Sequence, residues 1–106
     1  MPTPKEIFEK MEERMRERAQ DAKEVNAVYR FVLSGPQGGT WVVDMREDTL
    51  GVREGDEEAD CTINMSDENF VKLVSGKLNP QMALVMGRIK ISGDMGLAMK
   101  LGKVLR

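Results

Sequence analysis

Eighteen residues, ADCTINMSDENFVKLVSG at positions 59–76, change their apolar period partway along, and that change decides the fold. Ala59, Cys61, Ile63 and Met65 alternate with Asp60, Thr62 and Asn64, the mark of a strand with one covered face. From Ser66 onward, Phe70, Val71, Leu73 and Val74 recur at helical spacing. Ser66 suits an N-cap, Asp67 and Glu68 suit the positive helix end, and Gly76 stands where the helix should stop. A strand running directly into a helix points to an α+β domain.

Three more alternating segments lie upstream. Residues 25–34 put Val25, Ala27, Tyr29, Phe31 and Leu33 on one face; residues 40–46 do the same with Trp41, Val43 and Met45. Residues 49–54 turn Leu50 and Val52 inward, and Gly35-Pro36-Gln37-Gly38-Gly39 and Glu47-Asp48 read as turns. Four short strands in series with tight connections predict an antiparallel meander having one wet face. Before them, Ile7, Phe8, Met11, Met15 and Ala19 fall within about 120° of arc, which predicts an amphipathic helix over 5–21 acting as a lid or buttress. Downstream, Asn79-Pro80 opens a short helix that Gly87 ends; residues 88–92 form a fifth strand and residues 94–106 a terminal helix. The expected fold is one α+β domain over residues 1–106: a five-stranded, antiparallel-rich sheet with helices covering one face.

Composition narrows the function. With 41% apolar and 32% charged residues, this is an ordinary globular chain. A net charge of −2 and the lack of a basic stripe interleaved with aromatics argue against nucleic acid. The charge is lopsided: residues 1–65 hold 9 Lys/Arg and 15 Asp/Glu, residues 66–106 hold 7 and 3. The carboxy-terminal end is therefore the basic one. The first twenty residues lack an apolar run, and Val104-Leu105-Arg106 is not a peroxisomal address, so the expected location is cytoplasmic.

No histidine exists to serve as base, triad member or metal ligand. Cys61 has no such partner and belongs to the sheet's apolar face, where a thiol is inert. Glu54, Asp56, Glu57, Glu58 and Asp60 lack the ligand order of a calcium loop and read as a solvated turn. The expectation is no enzyme, no cofactor and no metal.

A surplus of apolar side chains near the carboxy terminus remains. In DMGLAMKLGKVLR (94–106) the apolar arc is roughly 200° wide, against about 100° for an ordinary surface helix. QMALVMG (81–87) has five consecutive apolar residues. Such a surface should face something other than the domain's own core.

The pieces ADCTI (59–63), SGKLNPQ (75–81), G-x-I-K-I-x-G (87–93), MGLAMKL (95–101) and TWVVD (40–44) resemble the sterol carrier protein type 2 family. That resemblance covers nearly the whole chain. It implies a five-stranded sheet covered by helices, with a hydrophobic tunnel between them for fatty acid, fatty acyl-CoA, phospholipid or sterol. Where family members often carry aromatics after Asn-Pro-Gln, this chain has Met82, Leu84, Val85 and Met86, and an acyl chain is expected ahead of a sterol.

The expected function is non-enzymatic lipid transport. The lipid would lie between a sheet wall of Val43, Ile89 and Ile91 and a helical wall of Val74, Met82, Val85, Met86, Met95, Leu97, Met99 and Leu101. Lys100, Lys103 and Arg106 would meet its headgroup or, in transient contact, a membrane surface. The alternative is a protein-interaction or accessory domain, with the apolar carboxy-terminal face serving as a homodimer or partner-enzyme interface.

Overall fold

The computed structural model describes residues 2–100. Helix α1 (Pro4–Glu17) starts at a reciprocal cap: Thr3 Oγ1 accepts the Glu6 amide at 3.2 Å, and Glu6 Oε1 accepts the Thr3 amide at 3.3 Å. Arg18 interrupts the helix, and α2 (Ala19–Val25) follows. The predicted helix over 5–21 is thus two helices reaching Val25, and the first strand starts later than alternation suggested. Asn26 makes the difference. It adopts the left-handed conformation (φ 47°) that asparagine tolerates, ending α2 as a cap.

Strands β1 (Val28–Ser34), β2 (Gly39–Asp44) and β3 (Gly51–Glu54) form an antiparallel meander. Strand β4 (Cys61–Ser66) does not extend it. It pairs parallel with β1, Tyr29 opposite Cys61 and Phe31 opposite Ile63, giving the order β3-β2-β1-β4-β5. The expected four-strand antiparallel meander is corrected to a mixed sheet. The acidic segment 55–60 carries the chain back across to the free edge of β1. Arg30 holds it there, Nη1 donating to Asp56 Oδ1 at 2.8 Å and to the Glu57 carbonyl at 3.3 Å. Asp60 and Val28 then exchange hydrogen bonds at 2.9 Å. The segment is solvated as expected, with Glu54, Asp56, Glu57, Glu58 and Asp60 all exposed, but it crosses the sheet end instead of making a turn.

Helix α3 (Asp67–Val74) begins at Ser66, whose hydroxyl accepts the Asn69 amide, and Gly76 follows it at φ 79°. Asn79 caps the six-residue α4 (Pro80–Val85), β5 (Lys90–Gly93) runs antiparallel to β4, and Asp94 caps α5 (Met95–Met99). The terminal helix predicted beyond Lys100 lies outside the described residues.

The sheet's inner face buries Tyr29, Phe31, Leu33, Trp41, Val43, Cys61 and Ile63 beneath α1 and α3. Phe8 stacks on Trp41 and on Phe70, both at 4.8 Å between ring centroids, and meets Phe31 edge-on at 5.4 Å. Each such pair contributes about 0.5–1.5 kcal/mol beyond its buried area. On the outer face, the fully buried Asp44 carboxylate receives Arg46 at 2.8 Å and Arg53 at 2.9 Å. Burial opposes its charge, but hydrogen bonds from Arg46, Thr49 and Arg53 outweigh burial and hold the carboxyl well below the usual range.

Candidate functional site

The inward stripe of α1 does more than cover the sheet. Ile7, Met11 and Met15, with Ala22 and Val25 of α2, Met45 just past β2 and Val74 at the end of α3, floor a solvent-open cleft of about 1060 Å³. That volume lies at the top of the range typical of ligand sites. Charged residues rim it. Lys10, Arg14 and Arg18 recur every four residues, Lys100 comes from the end of α5, and five carboxylates (Glu6, Glu9, Glu13, Asp21 and Glu24) alternate among them. Among the described residues, Lys10, Arg14 and Arg18 make no ion pair and no side-chain hydrogen bond.

The residues expected to form one apolar wall are divided. Val74 and Lys100 line the cleft. Val43 and Ile89 lie in the solid core, because the aromatic rings of Phe8, Phe31 and Phe70 fill the space over the sheet. Ile91 and Leu97 pack half-buried against that core. Met82, Val85, Met86, Met95 and Met99 face solvent, Val85 being 85% and Met99 87% exposed. Leu101, Lys103 and Arg106 lie outside the described residues. The lid of the sequence reading, α1, supplies most of the cleft. Its Lys10-Arg14-Arg18 spacing was visible in the sequence, but a charged helix face normally signals only solvent.

Tyr29 was missed as well. Its ring is fully buried on β1 and its hydroxyl donates to the Leu97 carbonyl at 2.7 Å. Burial first, then the nearby Cys61 and Asp94, push its pKa up to about 12, so it remains a donor at neutral pH. The same carbonyl accepts the Lys100 amide at 3.1 Å, so Tyr29 fixes the turn that delivers Lys100 to the cleft. The Cys61 thiol is buried, and burial, with Asp94 and Asp60 adding to it, pushes its pKa upward. A thiol held protonated is a poor nucleophile. Among the described residues, no group of three or more metal-ligating side chains converges, and no helix is long and apolar enough to cross a membrane.

Comparison with known proteins gives a consistent result. Residues 8–106 match the pattern of the SCP-2 sterol transfer family. Over 101 residues the chain is 46% identical to sterol carrier protein 2 of Homo sapiens, covering 92% of this chain and 18% of that protein. It is 41% identical over 102 residues to hydroxysteroid dehydrogenase-like protein 2 of Xenopus laevis, covering 94% and 24%. The chain therefore spans about a fifth of the length of these curated relatives. Among solved structures, palmitated SCP2L2 from Aedes aegypti superposes with a TM-score of 0.79 at 25% identity, over 99% of this chain and 96% of that one. With its sequence pattern matched from Phe8 through position 106 and its backbone superposed on a lipid-loaded relative, the chain belongs to the SCP-2 sterol transfer family.

Proposed function

We propose that this lipid-transfer domain carries a long-chain fatty acid or fatty acyl-CoA in the cleft along α1, without covalent chemistry. The observation behind the proposal is the apolar floor of a cleft of about 1060 Å³ under a rim where five carboxylates alternate with cations, of which Lys10, Arg14 and Arg18 form no ion pair among the described residues. The palmitate on the Aedes aegypti relative supports the ligand class. An amphiphile with an apolar tail and one anionic end suits this pairing better than a sterol, whose polar end is a neutral hydroxyl. A sixteen-carbon chain buried at ~0.8 kcal/mol per methylene gains about 12 kcal/mol gross, which association and ordering costs reduce toward micromolar affinity. Exchange takes place in the cytoplasm, a compartment that suits the single unpaired Cys61.

Native mass spectrometry of freshly purified protein, followed by displacement of a fluorescent fatty acid with palmitate, tests the reading. A 1:1 lipid adduct and saturable displacement are expected, and Arg14→Glu with Arg18→Glu should weaken palmitate more than the corresponding long-chain alcohol. No adduct and no displacement would overturn it.

A second reading rests on the length of the relatives. Because the matched region is a fifth of much longer proteins, the domain also suits an accessory role, presenting lipid to a separate enzyme. Co-purification with an acyl-CoA- or sterol-converting enzyme would distinguish that role, and a homodimer through the apolar carboxy-terminal face would show in sedimentation equilibrium.

A further inference from the structure

Positions 69–93 contain no acidic residue, and their only charges are Lys72, Lys77, Arg88 and Lys90. Lys72 pairs with Glu68 at 3.5 Å; the other three are exposed and, among the described residues, take part in no ion pair. The same stretch contains α4, which turns apolar side chains outward: Met82 is 57% exposed, Val85 85% and Met86 59%, and only Ala83 is buried. This helix is not loose. Asn79 Oδ1 accepts the Gln81 and Met82 amides, and the Ala83 carbonyl accepts those of Arg88 at 2.8 Å and Ile89 at 3.3 Å. A well-anchored helix therefore presents an apolar crest with unpaired cations beside it.

A second protein copy is a poor occupant. Stable interfaces take roughly 800 Å² from each partner, more than the six residues of α4 present by themselves. An anionic bilayer asks for no such area, because shallow apolar insertion and flanking cations act together. Each lysine or arginine close to such a surface raises partitioning about fivefold. We propose that α4 docks the domain on an anionic lipid surface, Met82, Val85 and Met86 entering the interface and Lys77, Arg88 and Lys90 meeting the headgroups. The inference goes beyond the carrier reading and stands without it.

Co-sedimentation with phosphatidylcholine vesicles, with and without phosphatidylglycerol, tests it. Anionic vesicles should retain the protein at least about tenfold better than neutral ones, less so at high salt. Arg88→Gln with Lys90→Gln should lose roughly 25-fold, and Met82→Ser with Val85→Ser and Met86→Ser at least about tenfold, circular dichroism remaining folded. Equal binding to neutral vesicles would overturn the proposal. So would unchanged binding of the triple variant, which would leave the contact to another face. A dimer abolished by the same variant would assign the face to a second copy, and loss of fatty-acid uptake would make it a ligand wall.

Discussion

The two ends of the sheet treat apolar residues in opposite ways. Over β1–β3, Phe8 sits among Phe31, Trp41 and Phe70, and every ring is buried. Around β5, the flanking helices α4 and α5 leave Met82, Val85, Met86, Met95 and Met99 in water. What holds that end is a small apolar footing of Ala83, Ile89 and Leu97 together with polar anchors: the caps Asn79 and Asp94, the Asp94 amide on the Asp60 carbonyl at 2.9 Å, and the Tyr29 hydroxyl on Leu97. Aromatic packing therefore carries the fold at one end. Backbone anchoring at the other end releases apolar side chains for contact with something else.

Breaking the packed end should cost most. Phe8→Ala removes three ring contacts and should lose about 3–5 kcal/mol in urea unfolding; a loss below ~1 kcal/mol would mean the cluster does not carry the fold. Asp44→Asn should cost about 1–3 kcal/mol, since it leaves Arg46 and Arg53 without their shared carboxylate. Its pH dependence has a definite sign. The folded carboxyl titrates below the unfolded one, so its contribution is complete above about pH 4 and fades as pH falls further. The stability gap between wild type and Asp44→Asn should therefore shrink steadily as pH falls below about 4, and a constant gap there would contradict the assignment.

Tyr29→Phe sharpens the contrast from the β5 end. It should cost about 1 kcal/mol and speed amide exchange in α5 while sparing β1. Val85→Ser should be the smallest effect, within about 0.5 kcal/mol, because an 85%-exposed valine holds nothing in place.

Which of these features the sequence disclosed depended on their physics. Alternation displayed strand faces faithfully, and Trp41, Val43, Cys61 and Ile63 all lie inward. Alternation is silent on neighbours, so the parallel pairing of β4 with β1 could not be read; it depends on Arg30 gripping a loop 26 residues away. Caps were legible at Ser66 and Asn79, where a side chain announces its own hydrogen bond. The turn at Asn26 was not, since left-handed geometry there leaves no pattern. The apolar surplus was legible as an amount. Its placement was not: Met11 and Met15 look alike in sequence whether they only cover a sheet or also floor a cleft.

Methionine methyl resonances would test the central claim directly, because methionines mark both ends of the molecule. On titration with palmitate, the methyl groups of Met11, Met15 and Met45 on the cleft floor should shift and saturate together, while those of Met82 and Met86 stay in place. Shifts confined to Met82, Met86, Met95 and Met99, with the cleft methionines unmoved, would contradict the account and put the lipid at the β5 end.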